Sequence, residues 1–192
     1  IIPYKVRFGF VIYNVLYGMF LVAIVIFHLA VQNDVQCEPE LLWKSCKVKV
    51  PFCGDMFKPT CNCVVLDVKK HNWTVLPKEM NEMTGLKVMK VNDGPLEKLP
   101  ETFKTNFSKV VFLDLSYNAL SNIPKSLGDM PLSTLNVANN NLNELPEPLW
   151  GNTYTIELGL DNNNISSISD GAQKAVALNR LYITNNSLVN LP

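Results

Sequence analysis

The sequence has no excess of charge: 17 lysines and arginines balance 17 aspartates and glutamates. A nucleic-acid surface needs a basic excess to neutralise phosphates, so that class of partner is argued against. Histidine is scarce, with two copies at His28 and His71, and His28 lies in an apolar run. No histidine-based acid–base pair can be built from them. Also missing are a Gly-rich phosphate loop, a zinc-protease motif and a Ser/His/Asp set. These absences predict that the chain is not an enzyme and uses no cofactor or metal.

Apolar residues are plentiful but unevenly spread. Phe8 to Val31 carries no charged residue. As a helix it would extend about 36 Å, enough to cross a hydrocarbon core of roughly 30 Å. A buried soluble helix of that length would show a polar stripe, and this one has only scattered exceptions such as Asn14 and His28. A cleaved signal peptide is the rival reading, but the run is long and its exit lacks a small-x-small site. Lys5 and Arg7 precede the run and Asp34, Glu38 and Glu40 follow it. The positive-inside bias therefore puts residues 1–7 in the cytosol as a stub and residue 32 onward outside or in a lumen. Lys44, Lys47 and Lys49 keep the reverse orientation open. The chain begins on Ile1 and ends on Leu191-Pro192, which reads as a piece of a longer protein.

Five cysteines fall between residues 37 and 63: Cys37, Cys46, Cys53, Cys61 and Cys63. Their clustering suggests a disulfide-stapled cap over residues 32–62 in an oxidising compartment. Cys61-x-Cys63 is too close for the usual zinc pairing, and reduced structural thiols are the other alternative. The number is odd, so at least one thiol is left over.

The strongest signal is a repeat. Val110, Leu113, Leu115, Asn118, Leu120, Ile123, Pro124 is followed by Leu132, Leu135, Val137, Asn140, Leu142, Leu145, Pro146. Thr155, Leu158, Leu160, Asn163, Ile165, Ile168 and then Leu178, Leu181, Ile183, Asn186, Leu188, Leu191, Pro192 continue it. Upstream, Gly94 and His71 replace the Asn. The end-of-motif residues Leu76, Leu99, Ile123, Leu145, Ile168 and Leu191 are spaced by 23, 24, 22, 23 and 23. A period of this kind marks a stack of like units.

This pattern, L-x-x-L-x-L-x-x-N-x-L-x-x-L-P over residues 63–192, resembles the leucine-rich repeat family in its "typical" class. Cys53 to Cys63 resembles the cysteine caps of extracellular members. The membrane span, the Cys cluster, PFC, CNC and HNWTVLP together resemble the membrane leucine-rich repeat proteins of oomycetes. The implied fold is an α/β solenoid. It has a parallel concave sheet and short convex 3₁₀ or helical pieces, preceded by a Cys-rich cap and one transmembrane helix. Asn118, Asn140, Asn163 and Asn186 then form a structural ladder, interrupted at His71 and Gly94. Ala172–Leu178 is the best candidate for a true helical turn.

The strand positions facing out of the concave sheet include Lys87, Lys90, Asp93, Asn136, Asn139 and Glu157. Among them Phe112, Asp114, Tyr117, Asp161, Arg180 and Tyr182 are the candidate binding residues, because exposed aromatics and arginine are frequent interface anchors. Sequons at Asn72, Asn106, Asn164 and Asn185 are glycosylation candidates, although so Asn-rich a chain shows some by chance. The expected function is a membrane-anchored recognition module, extracellular or lumenal, binding protein, peptide or glycan. A membrane-tethered cytosolic scaffold, or the binding part of a receptor kinase whose catalytic domain lies elsewhere, are the alternatives. Apolar ends need covering, so more repeats or a cap are expected past Pro192.

Overall fold

The computed structural model describes residues 46–52 and 60–189, with side chains at Cys46 and from Cys63 onward. The expected membrane helix at 8–31, the Cys37 and Cys53 candidates, and the side chain of Cys61 lie outside what is described. No helix among the described residues is long and apolar enough to cross a membrane.

Seven strands, β1 (Cys46–Phe52), β2 (Thr60–Lys69), β3 (Val88–Asn92), β4 (Phe112–Asp114), β5 (Thr134–Asn136), β6 (Glu157–Gly159) and β7 (Arg180–Tyr182), form one sheet in chain order. From β2 to β7 every pairing is parallel. Alternation along a strand sends neighbours to opposite faces, so register fixes what each face carries. Leu66, Met89, Leu113, Leu135, Leu158 and Leu181 align in one inward row. The first five are 0–1% exposed, whereas Leu181 at the edge strand is 40% exposed. Val88, rather than the expected Lys87, shares the outward row with Phe112. Lys87 sits one residue before the strand, where its carbonyl accepts the N–H groups of Val111 and Phe112.

Each strand from β2 to β7 ends in the same device. Lys70, Asp93, Tyr117, Asn139, Asn162 and Asn185 all have φ between 52° and 57°. Each stands immediately before a ladder position, and the left-handed residue turns the chain off the sheet. That conformation costs a non-glycine residue about 1–2 kcal/mol, least for Asn and Asp. The next side chain then ties two repeats together. Asn140 Nδ2 donates to the carbonyls of Leu115 and Val137, both at 3.0 Å, while its Oδ1 accepts the Leu120 N–H at 2.9 Å. Asn118, Asn163 and Asn186 repeat the arrangement, their Oδ1 atoms accepting from Leu96, Leu142 and Ile165.

The interrupted rungs are repaired by one another. Gly94 offers no acceptor to Trp73, and the His71 imidazole occupies the space that Gly94 leaves. His71 Nδ1 accepts the Trp73 N–H at 3.2 Å. Burial pushes the His71 pKa below its ordinary value, outweighing the Asn118 side chain and the Asp93 carboxylate, which favour the charged form. Nε2 is buried and makes no hydrogen bond.

The return segments carry short helical pieces: 3₁₀ turns at Lys78–Glu82, Lys125–Asp129 and Asp170–Lys174, and α-turns α1 (Phe103–Asn106) and α2 (Glu147–Trp150). Pro77, Pro124 and Pro146 stand immediately before three of them in extended conformation, so the Leu-Pro ending stops one repeat and starts the next return. The expected turn at Ala172–Leu178 is corrected to Asp170–Lys174. Ser169 Oγ accepts the Gly171 N–H at 3.1 Å and starts the turn two residues early. Downstream, Asn179 and Arg180 are already bonded to the Ile156 carbonyl, which leaves no room for continuation. Beneath this layer Phe103 and Phe107 pack with ring centroids 4.9 Å apart. Buried Asn152, which the repeat motif does not mark, donates to the carbonyls of Gly128 and Met130 at 2.9 and 2.8 Å. At the start of the sheet a disulfide joins Cys46 to Cys63 across 17 residues of sequence.

Candidate binding face of the sheet

The face opposite the leucine row carries two aligned outward rows. Phe112, Thr134, Glu157 and Arg180 form one, and Asp114, Asn136, Gly159 and Tyr182 the other. Parallel pairing brings together residues about 23 positions apart in sequence, so the surface is a product of stacking and not of any local motif.

A groove of about 400 Å³ opens on this face. Of the six candidate residues, Phe112, Tyr117, Asp161 and Tyr182 line it, and Asp114 and Arg180 do not. Tyr117 is 58% exposed and Tyr182 45%, so both residues are open to solvent on this face. Phe112 is half-buried, with Lys90 Nζ 5.3 Å from its ring centroid, a cation–π arrangement within the chain.

The charged candidates are partly committed to the fold. Asp114 Oδ1 accepts from the Ser116 N–H at 3.1 Å and from its hydroxyl at 2.8 Å, closing a local turn. Asp161 Oδ1 accepts from the Thr184 N–H at 2.6 Å and from its hydroxyl at 2.7 Å, which joins two repeats. Arg180 Nη2 and Nε donate to Glu157 Oε2 at 2.6 and 3.0 Å on the rim. An exposed pair of this kind holds side chains in place more than it stabilises the fold.

The floor of the groove comes from a residue the motif does not single out. Gly159 occupies the position where its neighbours carry Asn136 and Tyr182. A Cβ there would lie 2.7 Å from Asn136 Oδ1, so the missing side chain lets the Asn136 amide lean across. The sequence signal for it is a glycine within the L-x-L core, visible only once strands are aligned.

The sequon residues Asn72, Asn164 and Asn185 are exposed and Asn106 is half-buried. Three of their amides donate to other asparagines: Asn106 to Asn81, Asn164 to Asn143 and Asn185 to Asn162, each at 2.8 Å.

The leucine-rich repeat family model matches residues 109–130 and 131–152. A mouse protein, leucine-rich repeat and calponin homology domain-containing protein 1, is 29% identical over 92 residues, which is 48% of this chain. The chain spans only 13% of that relative's length. Among solved structures, the Arabidopsis receptor kinase HAESA, in complex with the peptide hormone IDA and the co-receptor SERK1, superposes with a TM-score of 0.57 at 21% identity. The match covers 83% of this chain and 30% of that one. The Arabidopsis thaliana BIR3–SERK2 complex gives a TM-score of 0.55 at 18% identity, covering 85% of this chain and 96% of that one. At these identities the likeness is one of fold. Residues 109–152 thus match the leucine-rich repeat model, and the solved structures share the fold.

Proposed function

We propose that the repeats are a recognition module that holds a protein or peptide partner on the open face of the sheet, outside the cytosol, tethered through residues 8–31. The observation that carries it is the groove itself. Two tyrosines stand exposed around it, Tyr117 at the turn after β4 and Tyr182 on β7, in repeats tied together by the Asn ladder. A rigid scaffold with exposed aromatics binds at low ordering cost. The HAESA structure, a complex with a peptide hormone and a co-receptor, supports a peptide or protein as the class of partner. The Cys46–Cys63 disulfide supports an oxidising compartment. The narrower kinship with oomycete membrane proteins rests on residues 51–53, 61–63 and 71–77 and belongs to the same proposal.

The test is the side of the membrane. The full chain is made in the presence of microsomes and examined for a glycosidase-sensitive mass shift and for protease protection of residues 32–192. Glycosylation with protection is the expected result. An unglycosylated, protease-accessible repeat region would overturn the location and make a membrane-tethered cytosolic scaffold the better account.

A further inference from the structure

We infer that the groove over Gly159 is a subsite for one cationic side chain, an arginine presented by an extended peptide. The inference rests on the sheet face being the binding surface and names what that surface selects.

Charge is the first argument. The lining includes the carboxylates of Glu157 and Asp161, several asparagine amides and two phenol rings, but no lysine, arginine or histidine. Each carboxylate spends one oxygen on the fold, Asp161 Oδ1 on Thr184 and Glu157 Oε2 on Arg180. Among the described residues Asp161 Oδ2 and Glu157 Oε1 have no hydrogen-bond donor, so both are open to a ligand.

The rings are the second. Tyr117 holds φ 57°, a conformation that Asn139, Asn162 and Asn185 take in the later repeats. A bulky residue is strained there and its ring is left 58% exposed, so folding gains little by having tyrosine at this place. Aromatic faces beside carboxylates favour a guanidinium, which stacks on the ring while it hydrogen-bonds the acid. The Lys90–Phe112 contact uses the same chemistry two strands before Gly159.

Shape is the third. Gly159 yields its place in the row to the Asn136 amide, and the groove of about 400 Å³ that both residues line has room for one long side chain. The lining runs from β4 to β7. Those strands span about 14 Å, the length of roughly four extended residues, so the occupant crosses the strands as a peptide.

The probe is a phage library of random 12-residue peptides, selected against the full chain in mild detergent. Selected peptides should share one arginine position, and a shared lysine instead would overturn the guanidinium. Replacing that residue by citrulline, which keeps the shape and removes the charge, should weaken binding at least tenfold. Asp161→Asn should do the same, since asparagine can still accept from Thr184 and the fold is kept. Gly159→Ala should weaken binding by pushing the Asn136 amide into the groove. Peptides with no shared basic position, or binding indifferent to citrulline and to Asp161→Asn, would overturn the subsite. If such peptides still lose binding in Tyr117→Ala and Tyr182→Ala, the sheet face stands and only its selectivity is wrong. Peptides indifferent to all of these variants, or a library that yields no binder, would count against both.

Discussion

The His71–Gly94 repair gives the sharpest test of how the solenoid begins. In later rungs, an asparagine one repeat ahead accepts the N–H two residues past the preceding ladder position: Asn118 serves Leu96, Asn140 serves Leu120 and Asn163 serves Leu142. Trp73 is the equivalent donor in the first repeat, and His71 Nδ1 serves it at 3.2 Å because Gly94 cannot. Adding a side chain at 94 places Cβ inside the imidazole's space, 2.5 Å from Nδ1. The ring must swing out, and the Trp73 N–H loses its acceptor. An orphaned buried donor costs about 1–3 kcal/mol, and Trp73 is half-buried, so Gly94→Asn alone should destabilise by about 1 kcal/mol. His71→Ala alone strands the same donor and opens a gap, with a similar cost. Combined, the two substitutions rebuild a regular rung, because Asn at 94 is then free to take the Trp73 N–H. The double variant should be more stable than either single one, with a coupling of about 1–3 kcal/mol. Urea unfolding gives the three free energies, and hydrogen exchange at the Trp73 amide reports the bond directly. Additive costs, or a Gly94→Asn variant as stable as the parent, would refute the repair. The pH dependence has a definite sign. The folded pKa of His71 lies below its ordinary value of 6.5, so the unfolded chain binds more protons near that pH. Its contribution is complete above 6.5 and is lost as pH falls from there through the lowered folded value. His71→Ala should remove that step.

Three other outcomes follow from the same geometry. Asn140→Ala strands the Leu120 N–H and the Leu115 and Val137 carbonyls at a site only 7% exposed. Chemical denaturation should show a loss of about 3 kcal/mol or more, larger than for the same change at half-buried Asn186. Reducing the Cys46–Cys63 disulfide, or Cys63→Ser, releases a closure across 17 residues and should cost about 3 kcal/mol. Melting with and without reductant checks it, and equal melting temperatures would count against the pairing. Gly128→Ala puts a methyl 2.5 Å from Pro148 Cβ and 2.6 Å from its carbonyl oxygen, where backbone cannot yield cheaply. It should push α2 off the Lys125–Asp129 turn and destabilise by about 1–3 kcal/mol, seen as early exchange of the α2 amides.

The face chemistry was only partly legible in the sequence. Phe112, Tyr117, Asp161 and Tyr182 meet around one groove, because outward positions of a repeat stay outward in every copy. Asp114 was chosen for its charge, yet its Oδ1 is used locally by Ser116, a choice that spacing does not reveal. Arg180 was chosen as an anchor and is paired with Glu157 on the rim. The helical piece starts at Asp170 and not at Ala172, because the Ser169 cap and the approach to β7 set its limits.

The sequence by itself determined the period, the strand phase, the leucine row and the asparagine ladder. Each is a pattern that recurs about every 23 residues and obeys two local rules, alternation along a strand and a left-handed turn after it. Only the tertiary structure decided that His71 fills the space of Gly94, that Asn152 ties the return layer, that Cys46 meets Cys63, and that Asn136 leans over Gly159 in a groove lined by two tyrosines. Most of these depend on which side chain lies one repeat away, at van der Waals distance but some 17 to 24 positions off in sequence. A missing side chain is informative only when its neighbours across the sheet are known.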